Sequence, residues 1–258
     1  MRIVIGLIGL AIVGATPALA QDQTAPPPEI TLTGGATLTS DYRFRGLTRT
    51  DGDPAVQSTV TVASRTGFYA GTWVSNIDGS DKTPLLRGHG DTEIDLYGGY
   101  TRTFSAIGVD AGLLYYAYPG GIKGVKTDYF EPYASLRYTL GPVSAKVGGN
   151  YAWGGQPGLD ATPRRNDNLY LYGEASIGVP RTPVTLKGHV GHTQGALGMV
   201  NPDPADDRYW DWSVNAEAVG GPIKVGMTYV DTDVTEQGGY ARRLGRGSTM
   251  LGYVGFSF

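Results

Sequence analysis

From Ile30 onward, apolar and polar residues alternate along the chain. Ile30, Leu32, Ala36, Leu38, Tyr42 and Phe44 occupy even positions, while Thr31, Thr33, Thr37, Thr39, Asp41, Arg43 and Arg45 occupy the odd ones. The pattern recurs over 169–179, with Leu169, Leu171, Ala175, Ile177 and Val179 against Tyr170, Tyr172, Glu174 and Ser176. Over 209–219, Trp210, Trp212, Val214, Ala216 and Ala218 oppose Asp211, Ser213, Asn215 and Glu217. Successive side chains leave a pleated strand on opposite sides, so period two predicts strands with one apolar face. Read this way, the chain predicts strands near 30–45, 55–64, 68–76, 92–103, 107–117, 129–138, 143–152, 169–179, 184–193, 209–219, 223–231 and 248–258. No stretch beyond the first twenty residues approaches the ~18 apolar residues of a spanning helix.

The connectors sort into two kinds. Links 65–67, 104–106, 139–142, 180–183 and 220–222 are short and rich in Gly or Pro, as hairpin turns are. Links 46–54, 77–91, 118–128, 153–168, 194–208 and 232–247 are long and polar, and the two kinds alternate strictly. Outer-membrane barrels have an even strand count, short periplasmic turns and long extracellular loops. The expected fold is therefore all-β, a closed antiparallel transmembrane β-barrel of about 12 strands with both termini periplasmic. A secreted β-sandwich also alternates, but it requires neither alternating loop lengths nor aromatic girdles. Outward parity places Tyr42, Phe44, Phe130, Tyr151, Trp210, Trp212 and Tyr229 near the outer rim. It places Tyr100, Tyr138, Phe256 and Phe258 near the periplasmic rim, giving two membrane-interface belts. The chain ends on alternating Val254, Phe256 and Phe258, the kind of terminal strand that barrel assembly machinery reads.

Residues 1–20 carry Arg2, an apolar run from Ile3 to about Ala15, and Ala18-Leu19-Ala20. That order describes a cleavable secretory signal. Residues 21–29 form a Pro-rich periplasmic leader, and 30–258 form the barrel.

Composition fits this picture. The chain has 258 residues with 40 Gly, 17 Tyr and only 17 % charged residues, against ~25 % in ordinary soluble domains. A formal net charge of −3 excludes the basic footprint of a nucleic-acid partner. With no Cys, disulfides, thiolate metal sites and cysteine nucleophiles are excluded.

Several segments then show a family likeness. Ser40–Gly46 (S-D-Y-R-F-R-G), Thr50–Gln57 (T-D-G-D-P-A-V-Q), Gly67–Gly71 (G-F-Y-A-G) and Ser75–Asp78 (S-N-I-D) resemble the N-terminal signature of the TorF family of porin-like proteins. Thr92–Tyr100, Tyr115–Gly120 and Asp128–Glu131 extend the resemblance, which covers about residues 38–135 and departs at Val60–Ser64 and Arg65. It implies a proteobacterial outer-membrane barrel with a channel role and adds no substrate.

Inward parity collects the strand charges in the lumen. Asp41, Arg43, Arg45, Glu93, Asp95, Glu131 and Asp211 fall at similar height near the outer mouth and are candidates for a constriction whose opposed charges orient polar solutes. Asp110, Arg137, Lys146, Glu174, Lys187, Glu217 and Lys224 are further lumen charges, with His189 beside them. Paired ions that merely fill the interior are the equal alternative, since twelve strands fall between filled and open barrels. The expected function is a passive porin-like channel for small polar solutes in the outer membrane. The alternative is a non-conducting barrel whose loops bind a ligand or partner. No enzyme, cofactor or metal is expected. Ser40 and His192 lie on strands that are not neighbours, no G-x-S-x-G occurs, and the loop acids lack the EF-hand pattern.

Overall fold

A computed structural model describes residues 28–79, 86–159, 167–201, 203, 205–234 and 247–258. The expected signal segment 1–20 and most of the leader lie outside them. Among the described residues fourteen strands form. Twelve close one antiparallel barrel: β1 (Ile30–Thr39), β4 (Ala55–Ser64), β5 (Phe68–Asn76), β6 (Thr92–Phe104), β7 (Ile107–Ala117), β8 (Tyr129–Leu140), β9 (Val143–Ala152), β10 (Asn168–Gly178), β11 (Val184–Gly195), β12 (Arg208–Gly220), β13 (Ile223–Thr232) and β14 (Thr249–Ser257). β1 closes it by pairing with β14 and β4 at once. The other two, β2 (Arg43–Phe44) and β3 (Leu47–Thr48), form a separate hairpin.

Every sequential pair is a hairpin, so every backbone ladder is satisfied and no strand edge remains, as a barrel in lipid requires. Followed from partner to partner, the register advances by about 16 residues per circuit, which tilts twelve strands by about 40° around a backbone radius of about 12–13 Å. The outer face is predominantly apolar. Leu32, Val60, Leu96, Val147, Val214 and Met227 are exposed between the rims. Phe130, Tyr151, Trp210 and Tyr229 stand exposed at one rim, and Tyr138, Phe256 and Phe258 at the other. Phe130 and Tyr138 are eight residues apart on β8, about 20 Å along the axis at this tilt and ~3.3 Å per residue.

Inside, tyrosines lie over glycines. Tyr97, Tyr69, Tyr133, Tyr172 and Tyr253 sit directly across the ladder from Gly71, Gly99, Gly112, Gly148 and Gly226. Each ring or hydroxyl occupies the space that a β-carbon on the facing residue would need. Any larger residue would lift the ring toward the lumen axis, so these glycines set how tightly the wall is lined.

The first predicted strand is corrected. It ends at Thr39, and 40–54 turns into the lumen. Tyr42 and Phe44 are therefore not membrane-interface residues: they are 1 % and 3 % exposed and belong to the interior cluster. The physical reason is a tight turn. Arg45 and Gly46 both have positive φ, 49° and 81°, as a two-residue hairpin loop of the primed type requires. A turn there reverses the chain, so strand parity no longer assigns faces.

Candidate functional site

The hairpin crosses the mouth of the barrel at its long-loop end. Asp41 stitches its base by accepting from the Thr48 hydroxyl at 2.7 Å, the Thr50 hydroxyl at 2.8 Å and Arg43 Nε. On one side the Tyr42 hydroxyl donates to Glu93 of β6 at 3.0 Å. At the tip, Arg45 Nη2 lies 2.7 Å from both carboxylate oxygens of Glu131 on β8. The Arg45 guanidinium also covers the Tyr170 ring of β10 at 4.2 Å, and its carbonyl accepts the Tyr209 hydroxyl of β12 at 3.0 Å. Gly46 is tucked against Asp211 and Thr232, where no β-carbon would fit. The hairpin thus touches walls on opposite sides of the lumen.

The constriction candidates meet here, Glu93, Asp95, Glu131 and Asp211 from the barrel strands and Asp41, Arg43 and Arg45 from the hairpin. Asp41, Arg43, Arg45, Glu93, Asp95, Glu131 and Asp211 are all buried around the hairpin. Glu131 accepts in addition from the Tyr116 hydroxyl at 3.0 Å and Asn150 at 3.2 Å. Asp211 lies 3.2 Å from His189 Nε2, and the Tyr170 hydroxyl bridges the two, at 2.8 Å from His189 and 3.3 Å from Asp211. Acids outnumber bases in this layer even with Arg49, which stacks over Phe44 at 4.4 Å. Its hydrogen bonding is incomplete. Among the described residues Glu93 Oε2, Asp95 Oδ1, Asp211 Oδ2, Arg45 Nη1, Arg49 Nε and the Tyr129 hydroxyl have no partner.

The remaining lumen charges form a second layer toward the short-turn end of the barrel, spread over β7 to β13. Lys187 pairs with Glu217 at 2.9 Å, and the Tyr253 hydroxyl donates to the same carboxylate. Glu174 lies 3.9 Å from Lys146 and 3.6 Å from His189. Asp110 accepts the Tyr69 hydroxyl at 2.6 Å, and Tyr69 also contacts the Tyr133 hydroxyl. Lys224 lies over the Tyr253 ring at 5.8 Å. The inward faces of β1, β4 and β5 carry Thr33, Thr37, Thr59, Thr61 and Tyr69 and no charge in this part of the lumen. This layer is therefore two-sided, with a charged arc facing a hydroxyl-lined one.

Sequence reasoning did not single out Arg49, Tyr116, Tyr129, Tyr170 or Tyr209. The four tyrosines were legible, since each has inward parity at the height of a buried carboxylate. Arg49 was not, because it lies in a loop. In the next loop, His89 packs edge-on to Tyr118 at 4.5 Å. Burial and the charge of Arg49 push its imidazole down to about 4. Among the described residues no group of three or more His, Asp or Glu converges as a metal ion needs.

An apolar wall, a polar lumen and complete closure define the barrel fold of outer-membrane porins. The chain belongs to the Gcw_chp family, described as bacterial proteins of unknown function, whose model matches residues 22–252. No curated protein matches the sequence. Among solved structures, the chain resembles the KdgM porin with a TM-score of 0.56 at 9 % identity, covering 88 % of this chain and 99 % of that one. A structure of the same porin "in complex with disordered oligogalacturonate" matches equally well. An outer membrane channel from Pseudomonas putida F1 matches with a TM-score of 0.50 at 11 % identity, covering 90 % and 96 % of the two chains.

Proposed function

We propose that the protein is an outer-membrane channel for passive diffusion of small polar solutes, with the β2–β3 hairpin as its constriction. The observation that carries this is the partly satisfied charged layer where the hairpin crosses the lumen. A permanently filled interior pairs its buried polar groups, because each one left unpaired costs about 1–3 kcal/mol. Here carboxylate oxygens, guanidinium nitrogens and a phenol remain unpaired, and water or solute would satisfy them. The porin fold, the TorF-like motifs and the complex of the KdgM porin with oligogalacturonate, a polar ligand, support the same conclusion.

We further infer an outer-membrane location with both termini periplasmic, export by residues 1–20, and recognition of the final strand by barrel assembly machinery. Phe258 supports the last point: its amide and carbonyl both pair with Gly34 of β1, so the C-terminal residue closes the barrel. No catalytic step and no cofactor enter this function. Ser40 Oγ accepts the Gly252 amide at 3.0 Å, while His192 packs on Trp210 at 4.6 Å.

The hairpin's burial favours one second possibility, a non-conducting barrel whose extracellular loops bind a ligand or partner. Planar-bilayer recording of the purified protein separates the two. Reproducible conductance steps support the channel, and their absence across a range of voltage and salt refutes it.

A further inference from the structure

Arg137 on β8 and Lys146 on β9 are direct ladder partners. Both have inward parity, and both lie toward the short-turn end of the lumen, level with the rim residue Tyr138. Like charges directly opposite on antiparallel strands repel, while opposite charges there stabilise by roughly 0.2–1 kcal/mol, so register energetics alone would not choose this pair. Two acids, Asp110 and Glu174, act electrostatically on both cations, but each also has other partners. Glu174 is shared between Lys146 and His189, and Asp110 is engaged by the Tyr69 hydroxyl. Among the described residues Arg137 has no ion pair, and its ladder partner on the other side is Gly108. Lys146 Nζ is held over the Tyr172 ring at 4.9 Å. Ser135 and Ser144 add hydroxyls at neighbouring inward positions of the same two strands.

We propose that Arg137 and Lys146 form an oxyanion-binding site in the lumen, which takes the carboxylate or phosphate group of a solute in transit. A guanidinium offers a planar fork of donors suited to two oxyanion oxygens, and an ammonium beside it supplies a second charge. The hydroxyl-lined arc across the lumen suits the uncharged polar remainder of such a solute. The solute class is therefore a small hydroxylated acid or phosphate ester. This assignment rests on the channel function proposed above.

The test uses the full-length purified barrel with inorganic phosphate as probe. Calorimetric titration is done for wild type and Arg137→Gln, with chloride of matched ionic strength as control, and phosphate is then added to single channels in a bilayer. The site predicts saturable phosphate binding that weakens at least tenfold in Arg137→Gln, and block of wild-type current that the variant does not show. Arg137→Gln also removes the cross-strand repulsion, so without phosphate the variant unfolds no earlier than wild type. Equal binding by both proteins, or none, overturns the site. Conductance without a phosphate effect overturns the site and leaves the channel standing. Absence of conductance overturns the channel, and the calorimetry then decides the site by itself.

Discussion

Replacing Arg45 by alanine acts on the contact that fixes the hairpin tip to the far wall. Arg45 is 5 % exposed, and its partner Glu131 is fully buried. Removing one member of such a pair leaves the other charge uncompensated and costs about 3–5 kcal/mol. With the hairpin out of the lumen, water solvates both groups, so the cost falls on the inward state alone. At 1.4 kcal/mol per factor of ten, the ratio of inward to outward hairpin falls by roughly 10²-fold to a few thousandfold. Single-channel recording reads this as longer and larger openings in Arg45→Ala than in wild type. Glu131→Gln keeps the shape and removes the charge, so it shifts the same ratio in the same direction. In the double variant the effects are less than additive, because each single change has already broken the pair. Circular dichroism and the heat-modifiable gel shift of a folded barrel separate hairpin release from unfolding. If Arg45→Ala conducts like wild type while the barrel stays folded, or if the two effects add fully, the hairpin is not latched through this pair.

Three further outcomes follow from the wall and loops. Gly112→Val drives a side chain into the Tyr133 ring and destabilises by about 1–3 kcal/mol in urea unfolding. The outward Gly98→Val meets only an ordinary contact and stays within about 0.5 kcal/mol. His89 is neutral when folded and titrates near 4. Its unfolded value is near 6.5, so its contribution is complete above pH 6.5 and is lost as pH falls toward 4. The loss reaches about 3 kcal/mol, and His89→Phe removes that slope in urea unfolding between pH 7.5 and 4.5. Phe258→Ala lowers the amount of folded barrel recovered in outer membranes while leaving conductance per channel unchanged. Quantitative blotting of membrane fractions checks it, and undiminished recovery refutes the role given to the last residue.

Much of the barrel was legible because period two and loop alternation are consequences of closing strands in lipid. The predicted 55–64, 68–76, 107–117 and 143–152 coincide with β4, β5, β7 and β9, and most other limits move by one or two residues. The hairpin was hidden because its alternation continues that of β1: Tyr42 and Phe44 keep outward parity, and aromatics at a rim are what a girdle predicts. The cue was Arg45-Gly46 between two short apolar-polar pairs, but Arg-Gly is a weak turn signal beside Asn-Gly or Asp-Gly. Parity did bring Glu93, Asp95, Glu131 and Asp211 to one level. It could not supply Arg49, whose position depends on where a loop packs, nor show that His189 is held between Glu174 and Asp211.

The central claim is a polar lumen narrowed by an inward hairpin. Its most direct test is bilayer conductance of wild type beside a variant in which residues 41–53 are replaced by a short Gly-Ser linker. A constricted channel gives small steps in wild type and severalfold larger, steadier steps in the variant. If neither protein gives reproducible steps while both remain folded barrels, that claim is contradicted and the protein is not a channel.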